Sequence, residues 1–148
     1  MGDAFGTLQT ADILKSALTF LNEGSIADLV DEFDAGFTFT DHALGLQFSE
    51  KDRLTEFLQK SRELFPDSII EVISTLESGN TVMVEWKLTA TETTSLPGST
   101  RLRLPISLPG ATIVQFRNNK ITHWSDYYDQ LKSRRVALAA AFADWVEY

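Results

Sequence analysis

The sequence predicts an α+β fold in which helices pack in the concave face of a curved, mainly antiparallel sheet. Three observations predict it. Up to Pro66 the apolar residues recur with a helical period, interrupted by one short strand, whereas from about 68 to 129 they alternate as in strands. The pairs Gly79–Asn80, Pro97–Gly98, Pro109–Gly110 and Asn118–Asn119 fall between the apolar stretches, where turns of a meander belong. Helices first and strands after is an α+β order, and a strongly twisted sheet of that kind curls, leaving a conical cavity beneath its helices.

Taken in order, Thr10 caps a helix that places Ile13, Leu14, Ala17, Leu18 and Leu21 on one face and ends at Gly24. Ser25 and Asp28 open a second helix with Ile26, Leu29, Val30 and Phe33 as its buried stripe. Residues 36–42 alternate, with Phe37, Phe39 and Asp41 on one side and Thr38, Thr40 and His42 on the other: a short strand ending in a carboxylate. Ser49 and Asp52 open a third helix that buries Leu54, Phe57, Leu58 and Phe65, and Pro66 stops it.

In the second half, residues 68–77 form an apolar run. The next run puts Val82, Val84, Trp86, Leu88 and Ala90 on one face and Met83, Glu85, Lys87 and Thr89 on the other. Beyond the turn at Leu96–Pro97–Gly98, Leu102, Leu104, Ile106 and Leu108 alternate with Arg101, Arg103 and Ser107. Pro105 there implies an edge or a bulge, since proline cannot donate to a ladder. Strands over 111–117 and 120–129 follow, then a C-terminal helix over about 130–147 with Leu131, Leu138, Phe142 and Trp145 as its apolar side. With no repeat, low-complexity tract or linker, the 148 residues read as one domain, 1–148.

Charge and composition exclude several functions. Thirteen basic against twenty-one acidic residues give a net charge of −8, which disfavours nucleic acid and anionic membrane as partners. The absence of cysteine rules out a disulfide framework and a thiolate metal site. Two histidines are too few for a histidine-rich metal centre, so the expectation is no metal and no cofactor, with a mixed carboxylate site left open. No apolar run approaches the ~20 residues of a membrane span. Met1 to Gln9 lack the basic start and apolar core of a signal peptide, so a cytoplasmic protein is expected. There is no Gly-rich phosphate loop, serine–histidine triad signature or HExxH.

Three stretches carry a family resemblance. Leu21-Asn-Glu-Gly-Ser-Ile-Ala-Asp-Leu-Val-Asp-Glu-Phe33 resembles the paired-helix opening of ketosteroid isomerases. Phe65–Pro66–Asp67 with Ile70 to Trp86 is similar to the segment joining the third helix to the central hairpin in SnoaL-like proteins. Leu102 to Gly110 and Ile113 to Asp129 are similar to that family's closing strands. In this order the stretches resemble the SnoaL-like polyketide cyclases of the NTF2-like (ketosteroid isomerase-like) superfamily. The resemblance implies a cystatin/NTF2-like cone: three N-terminal helices in the concave face of the sheet, plus a C-terminal helix. It also implies a two-fold dimer through the convex sheet face, where Met83, Glu85, Lys87 and Thr89 alternate beside Arg101 and Arg103.

Two carboxylates are the candidate catalytic groups. Asp126 shares a face with Trp124 and Tyr128, and a carboxyl buried among aromatics has its charged form disfavoured, which suits acid–base work. The resemblance adds that SnoaL-like cyclases and epoxide hydrolases hold a catalytic aspartate at this point; the alternative is an anchor for the C-terminal helix. Asp41 aligns with the general base of the isomerases, and its alternative role is closing a turn before Gly45. If their surroundings differ, the two divide acid and base roles.

The other catalytic sets of the superfamily are missing. Ala17 stands where the isomerases have an oxyanion-donating tyrosine, and Thr112 stands where they have a protonated aspartate and the cyclases a histidine. Trp86 and Leu88 stand where the limonene-type hydrolases have Arg and Asp. Trp86, Trp124, Tyr128, Phe39 and Phe57 are expected to line an aromatic cavity, each with core filling as the plainer alternative. Thr112, Leu88 and, at the rim, His42 complete the expected ligand contacts. His123 is expected outside the cavity, and Arg101, Arg103, Arg134 and Arg135 are expected to solvate the surface.

The functional expectation is a cofactor-free cyclase, isomerase or dehydratase acting on a small hydrophobic, polyketide- or terpenoid-like carbonyl compound. A carrier or sensor using the same apolar pocket is the alternative, and an interaction module built on the sheet face is a third reading.

Overall fold

Six strands and two helices make up residues 24–95 and 101–129, which are the residues that this computed structural model describes. The helices expected over 10–23 and 130–147 lie outside them. Helix α1 (Ile26–Asp31) starts as the sequence predicts: the Ser25 hydroxyl accepts the Asp28 amide at 3.3 Å, satisfying a free N-terminal donor. It buries Leu29 and Val30 and then stops short, because Phe33 already belongs to strand β1 (Phe33–Asp41) rather than to the helical stripe. Along β1, Phe37, Phe39 and Asp41 turn inward, as alternation requires.

A turn with Gly45 at φ +69° leads into β2 (Leu46–Phe48), a strand too short to show a period in the sequence. Helix α2 (Lys51–Leu64) buries Leu54 and Leu58. Ser49 does not cap it: the cap position is Glu50, whose side chain makes no capping bond.

Strands β3 (Ile69–Ser78), β4 (Thr81–Ser95), β5 (Arg101–Arg117) and β6 (Lys120–Tyr128) complete a sheet of order β2-β1-β6-β5-β4-β3. All neighbours are antiparallel except β1 and β6, which run parallel. The β5–β6 turn is Asn118–Asn119, both at positive φ (51° and 62°), the conformation a two-residue hairpin needs.

Pro109–Gly110 is not a turn, contrary to expectation. β5 runs through it as one 17-residue strand, and residues before Gly110 pair with β4 alone because the β6 ladder begins at Gly110. Prolines 105 and 109 thus sit on a one-sided stretch, where a nitrogen facing the open edge removes no ladder bond. That agrees with the edge position inferred from Pro105.

The strands keep inner and outer faces distinct. Val82, Val84, Trp86, Val114, Phe116, Ile121 and Trp124 are buried with Leu29, Phe33, Phe37 and Leu54 in one core. A register shift around Ile73 breaks the alternation of β3, and Ile69, Val72, Ile73 and Leu76 are exposed. The apolar run over 68–77 forms the edge strand β3, from which Ile70 packs against the core. No helix among the described residues is long and apolar enough to cross a membrane.

Candidate active site

The parallel pairing of β1 with β6 builds the site. It sets Phe39 beside Trp124 and Asp41 beside Asp126, so two carboxylates from distant parts of the chain share one inner face. On the other side of β6, Thr112 of β5 stands opposite Asp126. Trp86 of β4 faces Gly110, and a Cβ added at Gly110 would lie 2.3 Å from the indole ring. Only glycine leaves room for that ring, which is why an apparent turn residue sits in mid-strand.

Each carboxyl has its own set of donors. Asp41, 2% exposed, accepts the Leu44 amide on Oδ1 at 2.9 Å and the Tyr128 hydroxyl on Oδ2 at 2.8 Å. Asp126 accepts twice on Oδ1, from the Thr112 hydroxyl at 2.6 Å and the Trp124 indole N–H at 2.8 Å. The Trp86 indole N–H donates to Thr112 Oγ1 at 2.8 Å.

Burial pushes the Asp126 carboxyl up to about 7, against the opposing pull of the Thr112 and Trp124 donors and with a small push from the charge of Asp41. Burial, followed by donation to Asp41, raises the Tyr128 hydroxyl above the ordinary phenol range, so it acts as a donor and stays protonated.

These groups open into a cavity of about 500 Å³. One wall is aromatic: Phe39 stacks on Trp124 (centroids 6.0 Å, planes 14° apart) and meets Phe57 of α2 at 5.8 Å. Trp86 and Tyr128 approach to 6.2 Å on another side. Lys60, Ser61 and Arg62 of α2 add polar groups, with Lys60 also paired to Glu56 at 3.1 Å. The result is an apolar chamber with two carboxyls, a hydroxyl donor and a threonine on one wall, an arrangement able to move a proton on an otherwise hydrophobic molecule.

Nine of the ten residues singled out in the sequence line this cavity: Asp41, Asp126, Trp86, Trp124, Tyr128, Phe39, Phe57, Thr112 and Leu88. His42 does not. It lies on the opposite face, exposed, stacked on Tyr127 at 4.2 Å with planes 9° apart, because the strand's alternation carries it outward one residue after Asp41. His123 is outward too, as expected. Ala17, Arg134 and Arg135 and the side chains of Arg101 and Arg103 lie outside the described residues.

Sequence reasoning missed many of the lining residues, among them Leu44, Leu108 and Ile106. Ile106 and Leu108 are signalled by their alternation, but a turn at Pro109–Gly110 would separate them from the inner face of β5. No group of three or more metal-binding side chains occurs among the described residues.

Comparison with known proteins decides the family. The model of the SnoaL-like domain matches residues 14–124, three quarters of the chain. The chain belongs to the SnoaL-like family. No curated protein matches it. Solved structures share the fold of this SnoaL-like chain at low identity. A candidate polyketide cyclase from Acidithiobacillus ferrooxidans is 24% identical, with a TM-score of 0.70 over 88% of this chain and 96% of that one. A protein of ketosteroid isomerase-like fold from Catenulispora acidiphila, in complex with trimethylamine, is 21% identical, with a TM-score of 0.68 over 91% and 97%. TerC, co-crystallised with polyporic acid, is 15% identical, with a TM-score of 0.68 over 86% and 96%.

Proposed function

We propose that this SnoaL-like protein is a cyclase, isomerase or dehydratase that enolises a small hydrophobic carbonyl compound by carboxylate acid–base catalysis. The observation that carries the reading is the pairing of Asp126, poised near neutrality, with Asp41 on the floor of one aromatic cavity. In this reading the protonated Asp126 donates to the carbonyl oxygen while Asp41 takes the proton from the neighbouring carbon. Each role matches the local donors: Asp126 is disfavoured as an anion, and Asp41 is held by an amide and a phenol that suit one. The cavity volume fits a bicyclic to tricyclic skeleton, and the lining supplies aromatic faces for a flat one. The ligands of the two relatives, trimethylamine and polyporic acid, support a small-molecule ligand for this chain as well.

The test is exchange of α-protons with deuterated solvent, followed by NMR on a panel of enolisable bicyclic aryl ketones. Exchange that saturates with ketone and is lost in Asp126→Asn supports the enzyme. Saturable binding with no exchange across the panel would identify a carrier or sensor instead.

The same reading includes a homodimer through the outer sheet face, where Leu76, Met83 and Tyr127 are exposed beside Glu85 and Lys87. Sedimentation equilibrium of the full chain and of Met83→Glu tests it: a dimer that the substitution splits supports the interface, and a monomeric wild type overturns it.

A further inference from the structure

Trp86 and Thr112 line the cavity, yet their hydrogen bonds point at each other and at Asp126 rather than into the empty space. The chemistry of the donors fixes the direction of every bond in this chain. An indole N–H only donates, so Thr112 Oγ1 is the acceptor of the 2.8 Å bond from Trp86. A hydroxyl has one hydrogen. That hydrogen is directed to Asp126 Oδ1, 2.6 Å away; turned elsewhere, it would be a buried donor without that acceptor. Thr112 is 1% exposed, so solvent does not compete for the hydroxyl. The Trp124 indole, again a donor only, reaches the same Oδ1 at 2.8 Å.

Two donor hydrogens thus converge on one carboxyl oxygen. A proton on Oδ1 would face one of them, hydrogen against hydrogen, and leave a buried donor without an acceptor. Oδ2 takes neither bond. Among the described residues Oδ2 receives no donor, and Asp126 is a partly exposed residue that lines the cavity.

We infer that Trp86 and Thr112, with the indole seated against Gly110, are a positioning pair that holds the dissociable proton of Asp126 on Oδ2, facing the ligand. Gly110 belongs to the device because any side chain there would displace the ring that orients the hydroxyl. The carboxylic acid is thereby presented as a donor of fixed direction, next to Asp41, whose oxygens accept from Leu44 and Tyr128. A ligand entering the chamber meets a donor over β6 and an acceptor over β1. This selects molecules with a carbonyl oxygen toward β6 and the acidic C–H toward β1. That selection rests on the acid–base reading above; the location of the proton does not.

The test is made on the full chain without ligand. Infrared spectra below pH 7 give the carbonyl stretch of protonated Asp126, isolated by difference against Asp126→Asn. With the proton on Oδ2, the carbonyl oxygen is Oδ1, doubly hydrogen-bonded and low in frequency. Thr112→Val removes one donor and should move the band up, with the proton affinity of Asp126 rising roughly tenfold. Thr112→Ser should restore both. Trp86→Phe frees the hydroxyl to turn and should shift both in the same direction by less.

An unmoved band in Thr112→Val, or a proton affinity that falls, would overturn the inference, since a fall means that the acid had been donating from Oδ1 to Thr112. Should Trp86→Phe fail to fold, the valine and serine variants decide the matter, because they keep the size of the side chain nearly constant. The measurement involves no turnover, so a chain that binds without reacting still reports where the proton sits. Loss of α-proton exchange with an intact infrared signature would sink the enzyme reading alone.

Discussion

Asp41 and Asp126 are register partners on adjacent strands, the same residue type on the same face, and the chain treats them differently. Asp41 closes β1, and its two oxygens are taken by two of the chain's own donors, one from the turn it enters and one from Tyr128. Asp126 lies within β6 and lines the cavity, and its two donors among the described residues converge on one oxygen. The first arrangement spreads compensation over the whole carboxylate. The second compensates half of it, and burial then favours the protonated form. A carboxyl's role in such a chamber is set less by its depth than by how its donors are shared between its oxygens.

The strongest way to break this contrast is Asp126→Asn. An amide mimics the protonated acid: its oxygen accepts from Thr112 and Trp124 and its NH₂ takes the place of the acid O–H, so ligand affinity should hold while α-proton exchange falls about 10²–10⁴-fold. Equal losses in affinity and rate would make Asp126 an orienting group. Stability gives an independent reading. The folded chain keeps the Asp126 proton up to about pH 7, whereas an unfolded chain releases it near pH 4. Stability from this group is therefore complete below about pH 4 and is lost as pH rises through about 7. Asparagine suffers no such loss, so chemical denaturation should find the variant gaining on the wild type between about pH 4 and pH 7.

Asp41→Asn should behave differently in both respects. Its oxygen can still accept the Leu44 amide, and the Tyr128 hydroxyl can reverse to accept from the new NH₂, so folding stability should stay within about 1 kcal/mol. Exchange should fall at the lower end of the same range, about 10²-fold, because Asp126 still polarises the carbonyl. An unchanged rate would reduce Asp41 to the turn-closing aspartate that its place before Gly45 also suits.

Much of this contrast was legible in the sequence, for a definite reason. Period-two alternation is a property of the backbone, so the inward placement of Phe39 and Asp41, and of Trp124, Asp126 and Tyr128, follows from counting residues. Which strands lie side by side does not follow from counting. The parallel β1–β6 pairing that makes the two aspartates neighbours is a long-range contact between residues 85 apart, with no local signal. Gly110 misled because the feature that requires it, the ring of Trp86, belongs to another strand. Read locally, Pro109–Gly110 is a turn; with the indole in place, the glycine is the space it occupies. Along β3 a register shift around Ile73 cancels the parity on which such counting depends.

Tyr128→Phe sharpens the comparison at smaller scale. It removes one of the two donors to Asp41 and none to Asp126, so stability should fall by about 0.5–1.5 kcal/mol and exchange by tenfold or less. The infrared band of Asp126 should not move. A moved band would mean that the two carboxyls share one network rather than two sets of donors.

The smallest effect is expected at His42, adjacent to Asp41 in sequence and on the other side of the sheet. Its ring stacks on Tyr127 and is exposed, so His42→Ala should change stability by no more than about 0.5 kcal/mol and leave ligand affinity and α-proton exchange unchanged. The variant probes the alternation that places the pocket residues. If one residue's step along β1 is enough to leave the site, the His42→Ala variant exchanges α-protons as the wild type does. A rate limb that vanishes in His42→Ala would place its imidazole within reach of the ligand and overturn the assignment of faces at the end of β1.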